Sequence, residues 1–274
     1  MLSPRKLLAQ AGIRPRKRWG QNFLVNASAA RHVARLSLAD ARPATRMLEI
    51  GAGTGALTLA LLEEDADVTA LEIDPELVAL LRSRPELTAA RVVEADALTF
   101  DYHAWSRGGA WRVAGNLPYN IATPLVLRLA EMDGGPEALT VMVQKDVAER
   151  LIALPGTPAY GSLSVAIQYA MTVELALTLA PRSFFPPPKV HSSVVRLRRR
   201  AEPAVRVHDL ALFWKVVRGA FAYRRKTLVN SLALSLDIDR AAIVRALELS
   251  NISPEQRGER LDLSDFARLA DALA

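Results

Sequence analysis

The apolar positions in the first two thirds of the chain fall into two alternating rhythms. Residues 46–50, 67–74, 91–98, 111–117 and 139–144 are short, nearly unbroken apolar runs, too brief for helices, which is how strands buried on both faces read. Between them, residues 27–38, the stretch from Gly55 to about 64, and residues 76–83, 123–130, 147–154 and 162–169 repeat apolar residues at helical spacing. Ser28 is a candidate cap for the first of these helices, and Pro75 and Pro124 stand where a proline fixes the first helical position. Strands alternating with helices predict an α/β fold with a mostly parallel sheet. Residues 194–200 end that sheet with an alternating and finally charged run, either a solvated edge or a phosphate-contacting one. Around residues 201–207 the rhythm becomes helical only, over 208–223, 226–236, 240–249 and 263–273, with Asp239, Ser253 and Ser264 near the starts. The expected division is a first domain over residues 1–203, with a basic amino-terminal arm, and a small all-α domain over 204–274.

The first strand runs into Gly51, Gly53 and Gly55, glycines that let backbone approach a ligand ahead of the free N–H groups of a helix start. This Gly-x-Gly-x-Gly spacing differs from the dinucleotide Gly-x-Gly-x-x-Gly, so it does not specifically indicate a pyrophosphate. S-adenosylmethionine, whose amino-acid end carries a carboxylate and no phosphate, fits the same loop. Glu72 ends the second strand about 20 residues past the glycines, the spacing at which an acid accepts from both ribose hydroxyls. Asp96 ends the third, where it could accept from the cofactor's adenine amino group. Each acid alone also reads as a strand-end or capping carboxylate; together, in order after a glycine loop, they favour a site. The fourth strand delivers Asn116-Leu-Pro-Tyr119 to the same edge. Asn116 offers a side-chain carbonyl, Pro118 stiffens the turn so that the Leu117 or Pro118 carbonyl can point outward, and Tyr119 adds a flat face. Acceptors converging beside an aromatic plane suit a planar base with an exocyclic amino group.

Two other stretches carry candidate chemistry. Arg5, Lys6, Arg14, Arg16, Lys17 and Arg18 precede Trp19, and read either as a mobile basic leader or as an arm along a phosphate backbone. Residues 184–193, with three consecutive prolines, form a stiff loop rather than a helix.

Composition narrows the class. With 274 residues, 50% of them hydrophobic and 23% charged, the chain buries a substantial core, and no apolar run reaches the ~18–20 residues of a membrane span. The first eight residues lack the apolar core of a secretory signal and there is no cysteine, so a cytoplasmic location is the default expectation. A net charge of +6 permits a polyanionic partner. The four histidines show no ligand spacing with carboxylates, so no metal site is expected.

Four stretches, in order, resemble motifs of the small-subunit (16S) ribosomal RNA adenine dimethyltransferases, the KsgA family: Gly20-Gln-Asn-Phe-Leu24, Asn116-Leu-Pro-Tyr119, Phe184-x-Pro-x-Pro-x-Val-x-Ser and Gln256-Arg-Gly-Glu-Arg-Leu261. The one mild departure is Ala52, where the family often has Pro. The resemblance implies a Rossmann-like methyltransferase domain using S-adenosyl-L-methionine, with Asn22, Leu24, Gly51, Glu72, Asp96 and Asn116 at the cofactor and Gly53 in the same crevice. It implies that Phe184 stacks on a target base opposite Tyr119. The substrate it implies is small-subunit rRNA in an immature ribosomal subunit, dimethylated at two adjacent adenosines near the 3′ end, and a monomer without metal or membrane partner is expected. Arg224, Arg225 and Lys226, beside Tyr223, are candidate RNA contacts, though such a triplet is more often a solvated face. Three rivals stand against this: an NAD-dependent oxidoreductase, a methyltransferase-fold assembly factor without chemistry, and a large-subunit rRNA adenine methyltransferase of the macrolide-resistance type.

Overall fold

The computed structural model describes residues 3–16, 19–42 and 45–274. The chain divides into two compact units, one made of everything up to Ala148 together with Val173–Arg199, the other of Glu149–Thr172 and Arg200–Ala274.

In chain order the first part runs α1 (Pro4–Gln10), β1 (Phe23–Leu24), α2 (Ala27–Leu38), β2 (Arg46–Ile50), α3 (Ala56–Leu62), β3 (Asp67–Glu72), α4 (Pro75–Arg82), β4 (Arg91–Glu94), α5 (Tyr102–Ser106), β5 (Trp111–Asn116), α6 (Ala122–Glu131) and β6 (Ala138–Gln144). There follow α7 (Lys145–Ile152), α8 (Ser162–Ala170), β7 (Met171–Leu179), β8 (Phe184–Phe185) and β9 (Ser192–Arg199). Seven strands form one sheet in the order β4-β3-β2-β5-β6-β9-β7, while β1 and β8 make a separate antiparallel pair. The pairs β3–β4, β2–β3, β2–β5 and β5–β6 are parallel and β6–β9 is antiparallel. Strand order reverses between β2 and β5, which leaves a crevice beyond the carboxyl ends of β2, β3, β4 and β5, where open α/β sheets bind ligands.

Several sequence expectations shift. The α2 cap is Asn26, whose Oδ1 accepts from Ala29 N at 3.0 Å, rather than Ser28. Helix α6 starts at Ala122, so Pro124 is its third residue, and its Ile121 cap makes no side-chain bond. Asp262, not Ser264, caps the last helix. The supposed leader is in part the helix α1, capped by Ser3, whose Leu8 packs with Ile13, Phe23 and Leu77; Lys17 and Arg18 lie outside the described residues. The sheet does not end at β9. Its edge is β7, which neither alternates nor runs apolar because Glu174 and Leu175 both face solvent.

The second unit holds α9 (Leu210–Ala222), α10 (Leu228–Ser235), α11 (Arg240–Leu249) and α12 (Leu263–Leu273). Phe213, Val217, Leu232, Leu247 and Phe266 form its core, and Tyr160 and Val165 are buried among them. Tyr160 meets Phe221 edge-on at 5.8 Å, and the Tyr169 ring lies 5.5 Å from Phe213. These contacts explain why residues 149–172, expected with the first domain, belong to the helical unit, and the change of unit comes at Arg200 rather than after 203. Among the described residues no helix is long and apolar enough to cross a membrane.

Much of the arginine excess is structural. Arg112, 6% exposed, donates to the carbonyls of Ser37, Ala39 and Asp40 at the carboxyl end of α2, and Arg196 also reaches Ala39 O, at 2.7 Å. Arg199 donates to Leu129, Ala130 and Pro136 carbonyls in the same manner, 2.8–3.1 Å away. Cations there answer orphan carbonyls and the negative end of the helix dipole. Arg112→Met strands the Ser37 and Asp40 carbonyls and leaves Ala39 O to Arg196 alone, so the urea unfolding free energy should fall by about 2–4 kcal/mol. An unchanged midpoint would show that the guanidinium is not needed there.

Candidate functional site

Four strand ends and the segment Trp19–Leu24 surround one cavity that opens to solvent, in the crevice where open α/β sheets hold small ligands. The loop after β2, the ends of β3 and β4, and the turn after β5 all contribute walls. Of the residues expected at a site, Asn22, Leu24, Gly51, Gly53, Glu72, Asp96, Asn116, Leu117, Pro118 and Tyr119 meet there.

Glu72 is the most constrained of them. Its Oε2 accepts from Gly53 N at 2.8 Å, and its Oε1 from Ile73 N at 2.8 Å and Asp74 N at 3.0 Å. The acid thus ties the glycine loop to its own strand end while retaining acceptor capacity for hydroxyls. Burial pushes its pKa up, and the three N–H bonds oppose that rise. Gly53 has φ +58°, and a Cβ there would stand 2.9 Å from the Phe23 ring, so glycine is what allows Phe23 to close over the loop. Asp96 spends Oδ1 on Leu98 N, 2.8 Å away.

Sequence reasoning missed Glu49. It is 1% exposed, lies on the cavity wall, and its Oε2 accepts from the Thr58 hydroxyl. Burial raises its pKa to about 8; the Thr58 bonds oppose this and the neighbouring Glu72 adds to it. The signal was present as a lone acid inside an apolar strand, Met47-Leu-Glu-Ile50, two residues before the first glycine. Among the described residues, three carboxyl groups line the cavity, Glu49, Glu72 and Asp96, and no Lys, Arg or His does. A pyrophosphate would find no cationic side chain on this wall, whereas a ligand with a positive centre is favoured.

Across the cavity, Asn116 Nδ2 donates to Asn22 O at 2.6 Å. A carbonyl can only accept, so this bond fixes the amide's orientation and leaves Oδ1 on the other side as an acceptor. The Pro118 carbonyl accepts from Ile121 N and Ala122 N, both at 3.1 Å. It is committed to the start of α6, so of the two backbone acceptors considered, Leu117 O is the one left for a ligand. Tyr119, half-buried on the cavity wall, is held through its hydroxyl 2.9 Å from Ser192 Oγ, and burial raises its pKa.

Phe184 does not fit its expected role. It is 3% exposed and packs with Leu24, Met142, Leu179 and Val194, because β8 pairs it with Leu24; its ring is not on the cavity wall. The basic arm is partly spent as well: Arg16 pairs with Asp74 at 3.1 Å and Glu76 at 2.7 Å, and Arg5 lies over the Phe185 ring. In the helical unit Arg224 donates to Pro158 O and Tyr160 O, while Arg225 and Lys226 stay exposed.

Residues 12–270 match the family model described as ribosomal RNA adenine dimethylase. The chain is 43% identical to the ribosomal RNA small subunit methyltransferase A of Pseudomonas aeruginosa over 263 residues, covering 95% of each chain. Against the protein of the same name from Magnetococcus marinus it is 42% identical over 268 residues, covering 97% of this chain and 94% of that one. Among solved structures, a 23S rRNA methyltransferase, ErmE, superposes with TM-score 0.73 at 27% identity, covering 92% of this chain and 99% of that one. A dimethyladenosine transferase from Plasmodium falciparum shares the fold, with TM-score 0.75 at 24% identity over 90% of this chain and 95% of that one.

The Glu49 carboxyl gives a pH signature. Its folded pKa of about 8 lies above the ordinary 4.5, so the proton it keeps favours the folded state below pH 4.5, and this contribution is lost as pH rises through 8. Glu49→Gln removes the titration and keeps an acceptor for Thr58. Its stability relative to wild type should therefore grow between pH 5 and 8, by up to ~1.4 kcal/mol per pH unit. Parallel pH–stability curves for the two proteins would contradict this.

Proposed function

The chain belongs to the ribosomal RNA adenine dimethylase family, and on that footing we propose how its site works and on which adenosines. It is an rRNA adenine dimethyltransferase acting on small-subunit rRNA. Our reading is that S-adenosyl-L-methionine is the methyl donor and that two adjacent adenosines near the 3′ end, in an immature subunit, are each dimethylated at the 6-amino nitrogen. The observation that carries it is the cavity itself, acid-lined and without a basic side chain among the described residues, with an amide and a carbonyl acceptor at one end. The residues fit the donor: Glu72 for its ribose hydroxyls, Asp96 for its adenine amino group, the glycine loop at Gly51 and Gly53 for its amino-acid end, with Asn22 and Leu24 closing over it. When bound, the donor supplies a sulfonium-activated methyl group.

What the protein must improve is the nucleophile, an aniline-like nitrogen whose lone pair is delocalised into the ring. Asn116 Oδ1 and Leu117 O accept its N–H bonds, favouring a geometry in which the lone pair turns toward the methyl. Placement at ~3–3.5 Å then supplies rate through proximity and preorganised dipoles. No strong base is required, since the proton lost is acidic once the methyl has arrived. Tyr119 provides the stacking face for the base; Phe184, buried behind Leu24, supports the wall instead. A role in subunit assembly accompanies the chemistry, and the exposed cations of the helical unit, Arg225 and Lys226, are the proposed phosphate contacts there.

Two measurements test this. Tritiated methyl donor supplied with separated small and large subunits from a strain lacking the modification should label small-subunit RNA, as dimethyladenosine. Label confined to the large subunit would move the substrate to the macrolide-resistance type. Tyr119→Ala should slow transfer about 5- to 150-fold, the equivalent of ~1–3 kcal/mol of stacking, while Tyr119→Phe and donor affinity stay near wild type. Equal losses in Tyr119→Phe would assign the effect to the hydroxyl rather than the ring.

A further inference from the structure

The segment Trp19–Leu24, which walls the cavity, is tied down by a residue outside the chemistry. Asp74 is 0% exposed and caps α4, its Oδ1 accepting from Glu76 N at 3.1 Å. A capping role alone needs one acceptor and no burial. Yet Asp74 takes two further bonds from residues more than fifty positions earlier: Arg16 Nη1 donates to Oδ1 at 3.1 Å and Gln21 Nε2 to Oδ2 at 2.9 Å. Arg16 is itself positioned, with its other nitrogen 2.7 Å from Glu76 and its guanidinium over the Trp19 ring at 4.9 Å. Gln21 is held at both ends of its amide, because Oε1 accepts from Arg16 N at 2.7 Å.

The neighbour of Gln21 is Asn22, and Asn22 O is the acceptor that orients the Asn116 amide. On its other side the same segment is pressed onto the turn that follows Asn116. Gly20 has φ +60°, and a Cβ there would stand 3.2 Å from Asn120 Oδ1 and 3.5 Å from Tyr119 N. The path from Asp74 to Asn116 thus consists of a buried carboxylate, one doubly held amide and one adjacent carbonyl.

We infer that Asp74, Gln21 and Arg16 are positioning residues for methyl transfer: they latch the segment at residues 19–24 so that Asn22 O holds the Asn116 amide with Oδ1 toward the substrate amino group. This rests on the role given to Asn116 above. The latch sets the rate of the transfer step at saturating donor, because what it fixes is an acceptor for the reacting nitrogen. It also joins the two halves of the site, since Asp74 N donates to Glu72 Oε1.

The test measures single-turnover transfer to small subunits at saturating donor with the full-length protein. Gln21→Ala should slow transfer about 10- to 100-fold, the scale of misplacing one group by a fraction of an ångström. In an Asn116→Ala background the same change should cost less than about twofold, as coupled groups do. Asp74→Asn keeps the α4 cap and sets two amino groups face to face, so it too should be slow. Combining Asp74→Asn with Gln21→Glu restores the bond with donor and acceptor exchanged, and should recover wild-type rate to within about threefold. A residue that merely caps a helix gives the opposite pattern: Asp74→Asn at full rate, no rescue by the exchange, and Gln21→Ala and Asn116→Ala effects that multiply. Any of these overturns the inference. If wild type transfers no methyl group at all, the proposed function fails, and the latch is still judged by hydrogen exchange. Residues 19–24 should lose protection in Gln21→Ala, and equal protection would overturn it.

Discussion

Burying the Glu72 carboxyl group at the end of β3, one strand from the reversal point of the sheet, is the constraint to which the other parts of the site answer. An acid removed from water needs hydrogen-bond donors, and here they come from Gly53 in one loop and from Ile73 and Asp74 at the end of β3. Meeting that need brings the glycine loop and the second strand end together. Because Asp74 is drawn inward by the same turn, its side chain is available to hold Gln21, and the amino-terminal segment acquires a fixed place beside the cavity. The parallel pairing of β2 with both β3 and β5 sets Asn116 opposite.

Charge is distributed against the net balance of the chain. With a formal +6 overall, a basic cavity would be the simple expectation, yet Glu49, Glu72 and Asp96 line it without a cation among the described residues. Arginines instead serve helix ends, as at Arg112 and Arg199, or remain exposed in the helical unit, as at Arg225. Such a division suits a cationic small ligand in the cavity and a polyanion at the surface, and it weighs against a dinucleotide.

Legibility in the sequence followed how local the determining physics was. The strands 46–50 and 111–117 were plain because continuous apolar runs have few other uses, and Gly51, Glu72, Asp96 and Asn116 could be ordered on one sheet edge because strand ends are set by the same pattern. Three features depend on contacts distant in sequence and were not legible. Strand β7 has no periodicity of its own and is held as an edge beside β9. Residues 149–172 look like the continuation of an α/β alternation, but Tyr160 and Val165 are buried in the helical core. Phe184 carries a motif position whose ring, paired against Leu24, turns into the core. At the site, the Pro118 carbonyl could not be separated from that of Leu117 until the start of α6 was seen to consume it.

The central claim is that an acid-lined cavity anchored on Glu72 receives a sulfonium methyl donor, and calorimetric titration addresses it most directly. S-adenosyl-L-methionine should bind wild type with one site per chain, Glu72→Ala should weaken it by at least tenfold with the protein still folded by circular dichroism, and NAD should give no heat of binding. Binding of NAD with no response to the methyl donor, or donor affinity unchanged in Glu72→Ala, would contradict the account.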